Sequence, residues 1–412
     1  VVAAVSLLVL VGAAGFRSTP GLLMDPLHME FGWSYSTISA AASINMALYG
    51  LTAPFAAALM DRFGMRPVLA AALSLIAAGS GLTFFMTRPW QLLLCWGVLV
   101  GLGAGSMAMS FTATIVDRWF AARRGLVSGI LTAAGAAGNL VFLPLLGWLV
   151  SAHGWRSDAV GVALCALAVV PLVVLLLREY PAELGLAPYG SDEIVPVPPP
   201  RRGAGARALR VLRESARTRA FWLLAGTFAI CGATTNGLVG THFIPAAEDH
   251  GMAGTTAASL LALVGVFDVA GTVLSGWFTD RFRPTVLLGL YYLLRGGSLM
   301  VLPVLFARTV HPSMLVFVIF YGLDWVATVP PTMALCRRSF GPDAPVVFGW
   351  VAAAHQVGAA VVAVLAGIVR DRLGSYDIAW FAAGALCVLA AAGALALRER
   401  RGGSAPKGAA EA

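Results

Sequence analysis

Lysine is almost missing from this sequence: of its 28 basic residues, Lys407 is the one lysine and the other 27 are arginines. That absence removes whole chemistries. A GxxxxGK[ST] phosphate loop cannot be written, and no Schiff-base lysine stands before residue 407, which argues against ATP-driven pumping. Charge of either sign is scarce too. Asp, Glu, Lys and Arg make up 12% of the chain, where a soluble globular protein carries about 25%. Five cysteines (Cys95, Cys165, Cys231, Cys336 and Cys387) stand far apart without a CxxC, so neither a disulfide framework nor structural zinc is expected. No cofactor motif and no metal-ligand spacing is present, so no cofactor is expected and an enzyme reading finds no nucleophile–base pair to stand on. The opening VVAAVSLLVL has no charged n-region; it reads as a first membrane span lacking its cytosolic lead-in, not as a signal peptide.

What fills the sequence instead is apolar: 59% hydrophobic residues with 46 glycines, the small residues that let membrane helices approach closely. Runs of about 20 apolar residues, the length that crosses a bilayer, fall at 1–24, 36–60, 67–87, 91–116, 125–150, 158–177, 220–244, 256–279, 285–307, 312–335, 346–369 and 378–397. These are spans 1 to 12. The longest polar interval, with SDEIVPVPPPRRGAGAR, divides them six and six. The expected organisation is a half over 1–178, a linker over 179–219, a second half over 220–398 and a tail over 399–412.

Charge distribution orients the spans. The linker, the tail and the intervals 2–3, 4–5, 8–9 and 10–11 hold 21 basic residues, whereas the opposite side holds five, Arg88, Arg156, Arg308, Arg370 and Arg372. By the positive-inside rule both termini are expected to be cytoplasmic in a cell membrane. The net charge of +8 is thus a topology signal, and no nucleic-acid partner is expected.

An internal repeat is legible. Span 2 ends in ALMDRFGMRP, span 8 in GWFTDRFRP, span 11 in GIVRDRLG and span 5 in GWLVSAHG. The anchors Asp61, Ser151, Asp280 and Asp371 imply four three-span units, and an offset of 219 from Asp61 to Asp280 also superposes Gly32 on Gly251. The expected fold class is therefore an all-α membrane protein, twelve transmembrane helices in two halves built from three-helix inverted repeats. Over the whole chain this resembles the major facilitator superfamily, whose loop signature G-x-x-x-D-R-x-G-R-R/K stands here as Ala57, Asp61, Arg62, Gly64, Met65 and Arg66. The resemblance implies a conformational latch at Asp61, Arg62, Arg66, Asp280 and Arg281. DRWFAARRGLVSGILTAAGAAGN, with Arg123 and Arg124 opening span 5, and EFGWS before span 2 are similar to the monocarboxylate and oxalate transporter branch. Drug–proton antiporters instead carry a G-P dipeptide in that helix. The branch pairs an acid in span 8 with an arginine four residues on; here Asp268 stays and Thr272 stands where the arginine belongs.

Deep inside the spans lie two acids, Asp268 and Asp324, and two bases, Arg17 and Arg295. An arginine at mid-membrane costs about 2.5–3.5 kcal/mol on insertion scales, so Arg295 needs a partner. Asp268 is 12 residues before Asp280 and Arg295 is 12 residues after Arg283. Both are thus roughly 18 Å deep at about 1.5 Å per residue, and a pair between them is expected, either as part of the site or as a structural ion pair. Arg17, and Asn236 at the 219-offset position in span 7, are candidates for a midplane substrate site between halves, with Arg295, His355 and Gln356. Arg17 snorkelling to the outer interface is the alternative. Asp324, ahead of Pro330 and Pro331, and Asp268 are candidate proton carriers; a structural bond from Asp324 to backbone freed by the prolines is the other reading. GLGAGS at 101–106 has no preceding strand and reads as close helix packing, and Asn45 as glue between helices. The expected function is secondary active transport of a small, monocarboxylate-like organic anion with protons by a monomer in the lipid bilayer. Proton-antiport efflux of a drug or metabolite is the alternative, and a transporter-like receptor would call for a signalling domain that the intervals leave no room for.

Overall fold

The computed structural model describes residues 2–33, 35–107, 109–198 and 203–397. Among these residues the chain is helical almost throughout, and no β-strand forms beyond one isolated bridge, Phe120 with Tyr189. Sequences apolar on every face form helices here because lipid offers no partner for an exposed peptide group, and only a helix satisfies each one within its own segment. Eight helical stretches are long and apolar enough to cross a membrane, and one of them, Pro312–Arg370, is 59 residues long and holds two crossings that turn at Gly341–Asp343. With Val2–Phe31, Tyr35–Phe63 and Arg124–His153, the described residues contain the twelve expected spans. The remaining spans are Met65–Thr83, Pro89–Trp119, Trp155–Leu176, Arg219–Asp249, Gly254–Thr279, Pro284–Leu305, Ala344–Leu373 and Asp377–Leu395, with span 10 in two pieces, Pro312–Asp324 and Val329–Phe340.

The repeat is visible in the backbone. Three residues after the anchors of spans 2, 5 and 11 come Gly64, Gly154 and Gly374, with φ of 90°, 80° and 75°, values that only glycine adopts cheaply. The third unit makes the same turn differently: Arg283 is extended at φ −69° and Pro284 starts span 9, the position where proline is preorganised for a helix. Gly32 and Gly251, matched by the 219 offset, both have positive φ, 67° and 81°.

Close helix approach is set by glycine. Gly101 and Gly105 of span 4 leave room for only the backbone of span 2 at Asn45 and Tyr49, and Gly103 abuts Ala72 of span 3; the GLGAGS stretch is packing, as its sequence suggests. Span 5 crosses span 8 where Gly125 and Gly129 meet Gly276, and a Cβ on Gly276 would stand 2.3 Å from the Gly125 carbonyl oxygen. Span 2 meets span 11 where Gly349 faces Pro54 and Gly50 faces Gln356. Both crossings join the two halves, and both lie toward the end of the bundle that carries the linker.

Candidate functional site

The break in span 10 builds the buried polar centre. Pro330 and Pro331 have no N–H for the carbonyls of Val326 and Ala327, so the helix stops at Asp324 and restarts at Val329 with both prolines in its first turn. The freed backbone groups are then satisfied by side chains from neighbouring spans. Arg295 of span 9, with no exposed surface, donates from Nη2 to the carbonyls of Asp324 (2.5 Å) and Trp325 (3.1 Å). Asp268 of span 8 accepts from the Val326 N–H at 3.1 Å, and the Ser275 hydroxyl donates to the Ala327 carbonyl at 2.5 Å.

The partner of Arg295 is Asp324, not Asp268. Arg295 Nε donates to Asp324 Oδ2 at 2.6 Å and Nη1 meets Cys231 Sγ of span 7 at 3.0 Å. The expected pair between spans 8 and 9 is therefore corrected. Depth along a helix does not fix which way a side chain points around it. Asp268 turns instead to Thr272 Oγ1, 2.9 Å away on its own span, the residue standing where the resembling branch has an arginine. Among the described residues it makes no ion pair. Asp324 Oδ1 is buried with no hydrogen-bond partner. Arg295 is thus spent on an ion pair, a thiol and two carbonyls. Its expected role as a substrate ligand does not fit a side chain with no exposed surface.

The other candidates separate. His355 is buried, its ring 4.9 Å from that of Phe228 and pressed against Gly232 of span 7, while its neighbour Gln356 points the opposite way, onto Gly50 of span 2 across the halves. Asn236 is exposed and sits in a π-helical stretch of span 7, Ala233–Val239, a local widening that is common at functional sites. Arg17 lies on the helix of span 1, and its side chain is outside the described residues. Asn45 Nδ2 donates to the Trp96 carbonyl at 3.0 Å, the gluing role expected of it.

Of the latch candidates, two acids do the joining. Asp280 accepts from the N–H groups of Gly125 (2.7 Å) and Leu126 (2.8 Å), so a carboxylate of one half caps the positive N-terminus of span 5 in the other. Asp61 binds Arg118 Nη2 at 2.9 Å and, in a contact that sequence reading missed, Arg207 of the linker. Burial works against the charge on Arg207, but the bonds and charges of Asp343 and Asp61 more than offset it and hold its pKa above the ordinary value. Arg66 lies along the linker through Glu183, with its own N–H on Glu179; Arg281 lies over Trp277 of its own span and Arg62 over Phe63. None of these three arginines crosses between halves through the bonds described. Also missed was Asp158, one turn into span 6, fully buried with no hydrogen-bond partner on either oxygen; its place at the edge of an apolar run made it look interfacial.

Comparison with known proteins agrees with this architecture. Monocarboxylate transporter 13 of Bos taurus is 29% identical over 364 residues, which cover 87% of this chain and 79% of the relative. The MFS-type transporter YcxA of Bacillus subtilis (strain 168) is 26% identical over 337 residues, 80% of this chain and 78% of the relative. In fold, the crystal structure of the human organic anion transporter MFSD10 matches with a TM-score of 0.72 at 16% identity, covering 95% of this chain and 98% of that one. The family model described as Major Facilitator Superfamily matches residues 6–344 and 229–412. Its matches run through both six-span halves, and the chain belongs to that superfamily, a multi-pass membrane transporter related to the monocarboxylate transporters.

Proposed function

We propose that this protein carries a small monocarboxylate-like anion together with a proton across the cell membrane by alternating access, acting as a monomer. The two halves, divided at the linker, rock about a midplane site, and both termini are cytoplasmic. The observation that supports this most is the fate of Arg295. With that guanidinium consumed by Asp324 and the broken backbone of span 10, Arg17 is the one remaining arginine of the span interiors, and it holds the carboxylate by charge-assisted bonds with Asn236 as a polar neighbour. The proton rides on Asp268, a midspan acid that makes no ion pair among the described residues; Asp324, ion-paired, is the less suitable carrier. A proton and an anion moving together leave the loaded carrier nearly neutral, which lowers the barrier to crossing the midplane. Kinship with monocarboxylate transporters points to the same substrate class.

The test is uptake of labelled small monocarboxylates into proteoliposomes, with and without an imposed pH gradient. Accumulation driven by an acidic exterior supports symport. Expulsion under the same gradient identifies the antiport alternative, and indifference to the gradient removes proton coupling. Arg17→Gln is expected to weaken substrate binding sharply with folded yield near wild type; unchanged affinity would remove Arg17 from the site.

A further inference from the structure

The linker does not hang free beneath the bundle. Its first part is fastened to the N-terminal half. Glu179 accepts from the N–H groups of Met65 (2.6 Å) and Arg66 (2.8 Å) at the start of span 3 and from Arg118 Nη1 at 3.2 Å. Tyr189 exchanges backbone bonds with Trp119, Ala121 and Ala122. Its second part is the helix Ala204–Ser215, written AGARALRVLRES, whose buried face carries Arg207, Ala208 and Val211, each no more than 3% exposed. This face sits against span 2 and the start of span 11, across the seam between the halves. Ala208 and Val211 pack in one buried cluster with Ala57 and Ala58 of span 2 and with Val346 and Val347 of span 11. Trp350 Nε1 donates to the Ala208 carbonyl at 3.1 Å, and Trp350 also meets Phe55 of span 2 edge-on at 5.7 Å.

Arg207 is the centre of this contact. One arm of its guanidinium holds Asp61 of the N-terminal half and the other holds Asp343 Oδ1, at 2.6 Å, at the start of span 11 in the C-terminal half. Asp61 has a second cation, Arg118 of its own half, at 2.9 Å. Arg118 is shared with Glu179, at 3.2 Å, and Asp61 has a cation of its own half whether or not Arg207 holds it. When the halves separate at this end, Asp61 keeps Arg118 and Asp343 keeps Arg207; of these ion pairs the Arg207–Asp61 bond is the one lost, together with the packing of the helix on Ala57 and Ala58. The tether decides which half the helix follows. Three residues connect Ser215 to span 7, and Thr218 caps that span by accepting from the Phe221 N–H, whereas 14 residues, including the proline-rich stretch, separate Tyr189, the last fastened point on the N-terminal half, from Ala204. The helix travels with the C-terminal half.

Resting on the alternating-access reading, we infer that the linker helix is a latch on the linker-side gate: Arg207 clamps Asp61 when that end is closed and releases it when that end opens. No bond within either half is sacrificed by release, so the device sets the balance between the two states without weakening the fold of either.

Pairs of spin labels report it in the full-length protein reconstituted in nanodiscs. One pair replaces the exposed Phe63 and Phe282 at the linker-side ends of spans 2 and 8, and a second replaces the exposed Met29 and Ser313 at the opposite end. Arg207→Gln is expected to raise the population with separated linker-side labels by about tenfold and to bring the opposite pair together in step. Asp343→Asn, which frees Arg207 from its own half, is expected to shift the balance in the same direction by a smaller factor. Arg210→Gln, on the exposed face of the same helix, should leave both distributions as in wild type. The latch is overturned if wild type shows two states at each end and Arg207→Gln and Asp343→Asn populate them as wild type does. A single distance at both ends in every variant overturns alternating access itself, and the latch with it.

Discussion

At the scale of single residues, Arg295 is an anchor for backbone. A buried guanidinium is expensive, and truncating one partner of a buried pair costs about 3–5 kcal/mol. Here the arginine also serves the carbonyls of Asp324 and Trp325 at the break in span 10. The consequence separates it from an ordinary ion pair. Arg295→Leu is expected to destabilise by about 3–5 kcal/mol, read as a fall in melting temperature in detergent. Asp324→Leu in the same chain should not restore stability, because the Trp325 carbonyl is still left without the donor that Arg295 supplied. Full rescue in the double variant would show that charge balance, and not backbone capping, is what Arg295 supplies.

At the scale of elements, the sequence made the helices, their number and their repeat readable, because apolar length and glycine placement are local properties. The turn glycines at 64, 154 and 374 carry the repeat in their φ values. What the sequence left open was rotation about each helix axis. Asp268 and Arg295 share a depth, yet at 100° per residue depth says nothing of facing. The prolines that foretold a break in span 10 did not foretell which side chains would cap it. The linker helix escaped for a different reason: an Arg at a buried position in ARALRVLRES looks like one more surface charge until its two acids, 146 and 136 residues away in sequence, are brought beside it. The span 5–span 8 crossing gives an element-scale prediction. Gly276→Ala places a Cβ 2.3 Å from the Gly125 carbonyl oxygen, an atom of backbone that cannot step aside. The two helices must part, and the bonds from Gly125 and Leu126 to Asp280 lengthen or break. Faster tryptic cleavage at Arg123 and Arg124, beside the crossing, is expected in a variant that still folds; cleavage at the wild-type rate would mean the crossing is more compliant than its geometry implies.

At the scale of the whole molecule, the two halves divide the labour. The linker-side seam is held by carboxylates that cap a helix and bind arginines across it, while the buried acids of the C-terminal half sit around one broken span. Asp324 and Asp268 are separated by a chemical distinction visible in their partners: the first faces a guanidinium, the second a hydroxyl and a backbone N–H. An acid fixed by a permanent cation has little to gain from a proton, and losing it strands the arginine. An acid held by neutral donors can exchange its proton and keep its place. Asp268→Asn is therefore expected to fold and to bind substrate, since an amide oxygen still accepts from Thr272 and Val326. It should lose accumulation driven by a pH gradient, which for one-to-one cotransport reaches about tenfold per pH unit, while retaining exchange of internal for external substrate, a process with no net proton movement. Asp324→Asn should instead lower folded yield. If Asp268→Asn still concentrates substrate under a gradient, the proton travels on another group. His355, buried against span 7 beside the same cluster, is then the residue to replace next, and a His355→Gln variant that exchanges without accumulating would move the coupling site from span 8 to span 11.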